Sequence, residues 1–237
     1  MAHRWAAPRR FVLHGFPTSS TSFAARFALL ARGADFEELV LPIRMRSDGR
    51  PDADGCRPFL EEPGAPPLSS LSAILARVDA LPGEPFVPAD PEARAQALAL
   101  KEFCTTEVAP YGYYRVQRYL EDELGASPAQ SAGFRLHWLA EGFAGLERLL
   151  RAPAAGGAAA PGKFLVGDAV TVADLVVLPQ VHWSQRDQQT RVDLAAYPLL
   201  RGVYRAALRE PAFRDALPER QVNIRVLDGG EGGRAPA

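Results

Sequence analysis

The sequence predicts a small α/β domain followed by a larger all-α domain, and three observations carry that prediction. Two β-type runs bracket a helical run near the start. Four long stretches of helical periodicity fill the chain beyond about residue 91, and a proline-rich segment parts the two regimes.

The first run, RFVLHGF, is β-branched and aromatic and is punctuated by Gly15 and Pro17, which predicts a short strand. In STSFAARFALLARG, Phe23, Phe27, Leu30 and Ala31 fall on one face of a helix, and Gly33 sits where a left-handed residue closes one. FEELVLPI predicts a second strand, parallel to the first, across a right-handed connection. RMRSDGRPDADGCR is polar and rich in Pro, Gly and Asp, as an exposed loop is. RPFLEEPGAPPLSS predicts two very short extended pieces around a Pro-Gly turn, and LSSLSAILARVDAL a helix. The order is therefore βαβ, then ββα.

LPGEPFVPADPEAR carries four prolines and reads as a linker. Helical periodicity then runs over 92–120, 128–150, 171–186 and 199–209, interrupted by the flexible insert RAPAAGGAAAPGK. Within it TVAD, Thr171 to Asp174, forms a capping box that starts a core helix. The boundaries expected from these shifts are 9–80 for the α/β part, 81–91 for the linker, 92–220 for the helical part and 221–237 for a disordered tail.

Composition narrows the function. A chain of 237 residues can bury a sizeable core, and a formal net charge of -1 with interspersed signs leaves no basic stripe for nucleic acid and no polybasic membrane segment. Cys56 and Cys104 fit neither a disulfide framework nor a metal site, and His14, His137 and His182 lack metal-ligand spacing, so no metal is expected. Cys104 reads as a buried apolar residue. No apolar run is long enough for a signal-peptide core or a membrane span, so the expectation is a cytoplasmic protein with no membrane partner.

The stretch FPTSSTSF puts a proline and a run of hydroxyls in front of a helix. Ser and Thr there are ordinary capping residues, but a helix N-terminus with hydroxyl donors is also a place to hold an anion.

The motifs together resemble the glutathione transferases. SSTSFAARFAL is similar to the zeta-class signature Ser-Ser-Cys-Ser-Trp-Arg-Val-Arg of the maleylacetoacetate and maleylpyruvate isomerase branch. VAPYGYYRVQRYLEDELG, HWLAEGFAGLERLL, FLVGDAVTVADLVVLPQV and VDLAAYP resemble the helical half of the same branch. The resemblance implies a thioredoxin-like βαβ-ββα domain, a C-terminal helical bundle, a two-fold homodimer, and glutathione as cofactor. It also implies a small electrophilic substrate, with an arginine placed for a carboxylic acid.

By that resemblance Ser19, Ser20 and Thr21 form the thiol site, with Ser19 donating to the glutathione sulfur. A free thiol of pKa about 8.5 is only roughly 3% ionised at pH 7, so a donor that favours the anion is what this chemistry needs. Arg57 precedes Pro58, the family's cis-proline position, and Ser69 and Ser70 match the pair that holds the γ-glutamyl end. Phe16, Tyr111, Tyr113, Arg115 and Arg186 fall on the electrophile side, Arg186 as the arginine for a substrate carboxylate. The three tyrosines Tyr111, Tyr113 and Tyr114 are expected on one long helix.

The chain departs from the signature at Thr21 for Cys, Phe23-Ala24 for Trp-Arg, Ser69 for an acid or amide, Arg57 for an apolar residue and Tyr113 for Asn. Three activities follow from the resemblance. The first is glutathione-assisted cis-trans isomerisation, on a catabolic or a biosynthetic intermediate. The others are net conjugation or halide displacement, and a non-catalytic binding module.

Overall fold

The computed structural model describes residues 11–40, 58–151, 161–186, 191–221 and the pair 225–226. The whole of the expected loop after the second strand, with Cys56 and Arg57, and residues 152–160 of the Ala/Gly/Pro insert lie outside the described residues. The chain divides into two compact units, Met1–Pro82 with Asp215–Ala237, and Gly83–Arg214.

In the first unit β1 (Phe11–Gly15) is flanked by β2 (Phe36–Val40), parallel and in register from Phe11 with Phe36 to Gly15 with Val40. On its other side lies β3 (Phe59–Glu61), antiparallel. The expected second extended piece after β3 forms only a bridge from Leu60 to Leu68, because Pro66 and Pro67 have no N–H to give a ladder. Residues 221–237 are not wholly a tail. Arg225–Val226 form β4, parallel to the outer edge of β2, so the strand order is β3-β1-β2-β4. The run VNIRV alternates β-branched residues, and an edge strand offers unpaired N–H and C=O groups to such a segment.

Helix α1 (Ser20–Ala31) follows β1 and ends as expected, with Gly33 at φ 60 and the Ala34 N–H donating to the Leu29 carbonyl at 3.0 Å. Its burial differs from a single stripe: every residue from Ser22 to Leu29 is buried. Even Arg26 is 1% exposed. Its Nε and Nη2 donate to Glu38 on β2 at 2.6 and 2.7 Å, and its Nη1 donates to the Ala216 carbonyl at 2.6 Å. A bidentate pair whose third nitrogen donates to a carbonyl meets the condition under which a buried guanidinium is tolerated. The crossing of Ala216 also explains why the chain from Asp215 onward joins the first unit, where the helical part was expected to run to residue 220. Helix α2 (Leu71–Asp79) presents Ile74, Leu75 and Val78 to the core that holds Leu13, Leu60, Phe23 and Phe27.

In the second unit, α3 (Pro91–Phe103) starts on Asp90, which accepts from the Ala93 N–H at 2.9 Å. The single helix expected over 92–120 is broken. A π-turn at Cys104–Val108 and a 3-10 turn at Ala109–Gly112 lead to an extended Tyr113 (φ -70, ψ 136), before α4 (Tyr114–Arg118) and a second π-turn at Tyr119–Glu123. Thr105 and Thr106 hydroxyls both donate to the Glu102 carbonyl, at 2.9 and 3.0 Å, and Pro110 has no N–H. Helix α5 (Pro128–Arg151) packs on this broken segment through glycines. A β-carbon at Gly145 would lie 2.1 Å from the Phe103 ring, and one at Gly142 would lie 2.7 Å from Val108. Helix α6 (Val172–Arg186) is buried from Val172 through His182, as a helix apolar on nearly all sides must be. Helix α7 (Pro198–Ala207) begins on the buried Glu147 of α5, whose carboxylate accepts from the Leu199 and Leu200 N–H groups at 3.1 and 3.0 Å. A short α8 (Pro211–Asp215) closes the helical series.

Candidate functional site

The turn between β1 and α1 is built from the backbone outward. The Ser19 N–H donates to the Phe16 carbonyl at 3.0 Å, closing a four-residue turn with Pro17 in its second place, where a fixed φ favours the bend. Ser22 Oγ, itself 0% exposed, accepts from the Phe16 N–H at 3.0 Å and pins the turn to the helix. Gly15 makes this possible, since a β-carbon there would sit 2.8 Å from Ser22 Oγ. Ser19 is the N-cap: its hydroxyl oxygen accepts from the Ser22 N–H at 3.3 Å and lies 2.8 Å from Thr21 Oγ1. Ser20 begins the helix beside it. Phe16, Ser19, Ser20 and Thr21 are thus brought to one short segment, all partly exposed. No acidic residue lies in the first turn of α1.

Ser70 is the N-cap of α2, with its hydroxyl accepting from the Ala73 N–H at 3.1 Å, and Ser69 precedes it. Both are exposed, and this helix too has no acid in its first turn. Pro58 is buried. Arg57 lies outside the described residues, and with it the bond that a cis-proline at this position would require.

Ala24, where the signature has Arg, is 1% exposed and fills the core.

On the helical unit the expectation that Tyr111, Tyr113 and Tyr114 share one helix is corrected. Tyr111 lies in the 3-10 turn, Tyr113 is extended and Tyr114 opens α4, because the chain breaks after Pro110. The break spreads them over different neighbours. Tyr111 stacks on Trp138 of α5 with ring centroids 4.7 Å apart, and Phe134 meets both edge-on. The Arg115 guanidinium lies 5.1 Å over the Tyr113 ring. Gly112, between them, faces Trp183 of α6 so closely that a β-carbon would stand 3.4 Å from the indole. Arg186 is the exposed last residue of α6, one turn beyond Trp183, and the Arg135 guanidinium lies 5.7 Å over that indole.

The pair His137-Trp138 reads from sequence as part of a core helix, while Trp183, Phe134 and Arg135 drew no reading. Nothing in their spacing along α5 and α6 announced that Phe134 would meet Tyr111 or that Trp183 would face Gly112.

Cys104 is buried, and burial pushes its thiol well above the ordinary range, so it is no nucleophile. Asp174 of the expected capping box accepts from the Thr171 N–H and hydroxyl and from the Leu165 N–H, each at 2.8 Å. Among the described residues no three His, Cys, Asp or Glu side chains are placed to hold a metal, and no helix is long and apolar enough to cross a membrane.

The donor set at α1 and α2 fits an anionic thiol peptide. Two helix N-termini, each bordered by hydroxyls and free of acids in the first turn, suit a sulfur anion at one and a carboxylate at the other.

A family model described as the glutathione S-transferase C-terminal domain matches residues 115–206. A curated maleylpyruvate isomerase of Ralstonia is 30% identical over 219 residues, which span 88% of this chain and 97% of that one. Among solved structures, a maleylpyruvate isomerase from Pseudomonas aeruginosa PAO1 is 32% identical with a TM-score of 0.69, covering 90% of this chain and 98% of its own. A maleylacetoacetate isomerase from Anaeromyxobacter dehalogenans, with glutathione bound in its active site, is 27% identical with a TM-score of 0.75, covering 92% and 99%.

Proposed function

Because the chain belongs to the glutathione transferase family, in its zeta-class isomerase branch, we propose that it is a glutathione-dependent cis-trans isomerase of a small conjugated acid of the maleyl type. Glutathione, when bound, supplies the thiolate that adds to a conjugated carbon and leaves again after rotation, so it is not consumed. The observation that carries the reading is the mouth of α1, where the Ser19 hydroxyl caps a helix N-terminus with no acidic residue in its first turn.

In this reading Ser19 donates a hydrogen bond to the sulfur anion and keeps its proton, and Ser20 and Thr21 keep the surroundings rich in hydroxyls. A thiol pKa lowered by two units would leave roughly three-quarters of the thiol ionised at pH 7. Ser69 and Ser70, with the N–H groups opening α2, take the γ-glutamyl end, and the backbone at Arg57 and Pro58 pairs with the cysteinyl unit. Tyr111, Tyr113, Arg115 and Arg186 serve the electrophile, together with Phe16. The Arg186 guanidinium supplies two parallel N–H donors to one carboxylate.

A reducing cytoplasm is the compartment that keeps this thiol free. The homodimer implied by the family is tested by the mass of the particle in solution.

The test is calorimetric titration of glutathione into wild type and Ser19→Ala, with thiolate absorbance followed against pH. Binding by both, with the depressed thiol pKa confined to wild type, supports the reading. Absence of binding to wild type would sink it.

A further inference from the structure

Thr21 Oγ1 and Ser19 Oγ are 2.8 Å apart, a separation at which one of the two hydroxyls donates to the other. Ser19 Oγ also accepts from the Ser22 backbone N–H. A hydroxyl has one proton to give and two lone pairs to receive with. If Ser19 donates to Thr21, its proton is spent inside the turn. If Thr21 donates to Ser19, both lone pairs of Ser19 are filled and its own proton has to point elsewhere. Thr21 Oγ1 has no second hydrogen-bond partner among the described residues, so nothing holds its proton away from Ser19.

From this geometry we infer that Thr21 is the positioning residue of the thiol site: it donates to Ser19, turning the Ser19 proton out of the turn and toward the sulfur anion. The chain Thr21 O–H to Ser19 O–H to sulfur runs in one direction, and each bond polarises the next, so an anion at its end selects this orientation over the reverse. The scaffold is fixed before a ligand arrives. Ser22 Oγ holds the Phe16 N–H, the Ser19 N–H holds the Phe16 carbonyl, and Gly15 leaves just enough room for Ser22. Arg26 on α1 is spent on Glu38 of β2 and on the Ala216 carbonyl, Glu38 is neutralised by the same pair, and the first turn of α1 is free of acids.

This inference rests on the glutathione reading above, and its test separates the two. Glutathione is titrated into wild type, Thr21→Val, Thr21→Ser and Ser19→Ala, reading binding by calorimetry and the pKa of the bound thiol by thiolate absorbance. Thr21→Val keeps the shape and removes the hydroxyl; Thr21→Ala, a better helix former, replaces it if the melting curve of the valine variant shows a folding defect. The expected result in Thr21→Val is a bound thiol pKa raised by about half to one unit, with glutathione affinity unchanged at low pH, where the thiol is protonated, and weakened about three- to tenfold at high pH, where the thiolate binds. Full recovery is expected in Thr21→Ser, and a larger rise in Ser19→Ala. A wild-type pKa in Thr21→Val beside a raised one in Ser19→Ala overturns the role of Thr21 and leaves the glutathione reading standing. No depressed pKa in wild type overturns both.

Discussion

At the scale of single residues, the buried carboxylates divide by what surrounds them. Asp174 receives three donors, which favour the anion, yet burial dominates and pushes its carboxyl up from 3.8 to about 6. The native state therefore holds this proton more tightly than the unfolded chain. Its contribution to stability is fully present below about pH 4 and is lost as pH rises through about 6, the reverse of an ion-paired carboxylate. Denaturation curves between pH 4 and 7 should show this decline, and Asp174→Asn should flatten it while destabilising by about 1–3 kcal/mol, because an amide offers an N–H where a donor already points. The Glu147 carboxylate accepts from the two N–H groups that open α7 and from Arg151 at 3.0 Å. Glu147→Ala leaves those N–H groups without their acceptor and should cost about 2–4 kcal/mol in chemical denaturation; a loss under 1 kcal/mol would show that water replaces the carboxylate.

At the scale of elements, local chemistry was legible where the cause is local. The β-α-β order, Gly33 at the end of α1, the start of α6 at Thr171 and the hydroxyls at the mouth of α1 all follow from residues within a few positions of the feature. The break between α3 and α4 was not, although Pro110 marked its place. Periodicity continues through 92–120, and only the packing of Phe103 and Val108 against glycines of α5 fixes the path the chain takes. Gly145→Ala tests that account. Its methyl group needs the space of the Phe103 ring, so the variant should lose about 1–3 kcal/mol, and pairing it with Phe103→Leu should recover part of that loss. Equal stability of Gly145→Ala and wild type would mean that α5 does not set this path.

At the scale of the whole molecule, what escaped the sequence is what joins distant parts of the chain. Arg26 matches the last Arg of the zeta-class signature, but its bond to the Ala216 carbonyl spans 190 positions, and no pattern around residue 26 or residue 216 announces it. Removing one partner of this buried group strands the other, so Arg26→Met should cost about 3–5 kcal/mol, and Arg26→Met with Glu38→Leu should cost less than the single change. Hydroxyls at the openings of α1 and α2 were readable, while within the helical unit the stacking of Trp138 on Tyr111 and the approach of Trp183 to Gly112 needed the fold to assemble them. The central claim for the molecule is that its chemistry returns the thiol unchanged. The most direct measurement follows a maleyl-type cis acid by proton NMR and mass spectrometry with glutathione at one-hundredth of the substrate concentration. The account predicts complete conversion to the trans isomer at unchanged substrate mass, with glutathione recovered intact. Conversion that stops at the amount of glutathione added, with an adduct of summed mass, would contradict it.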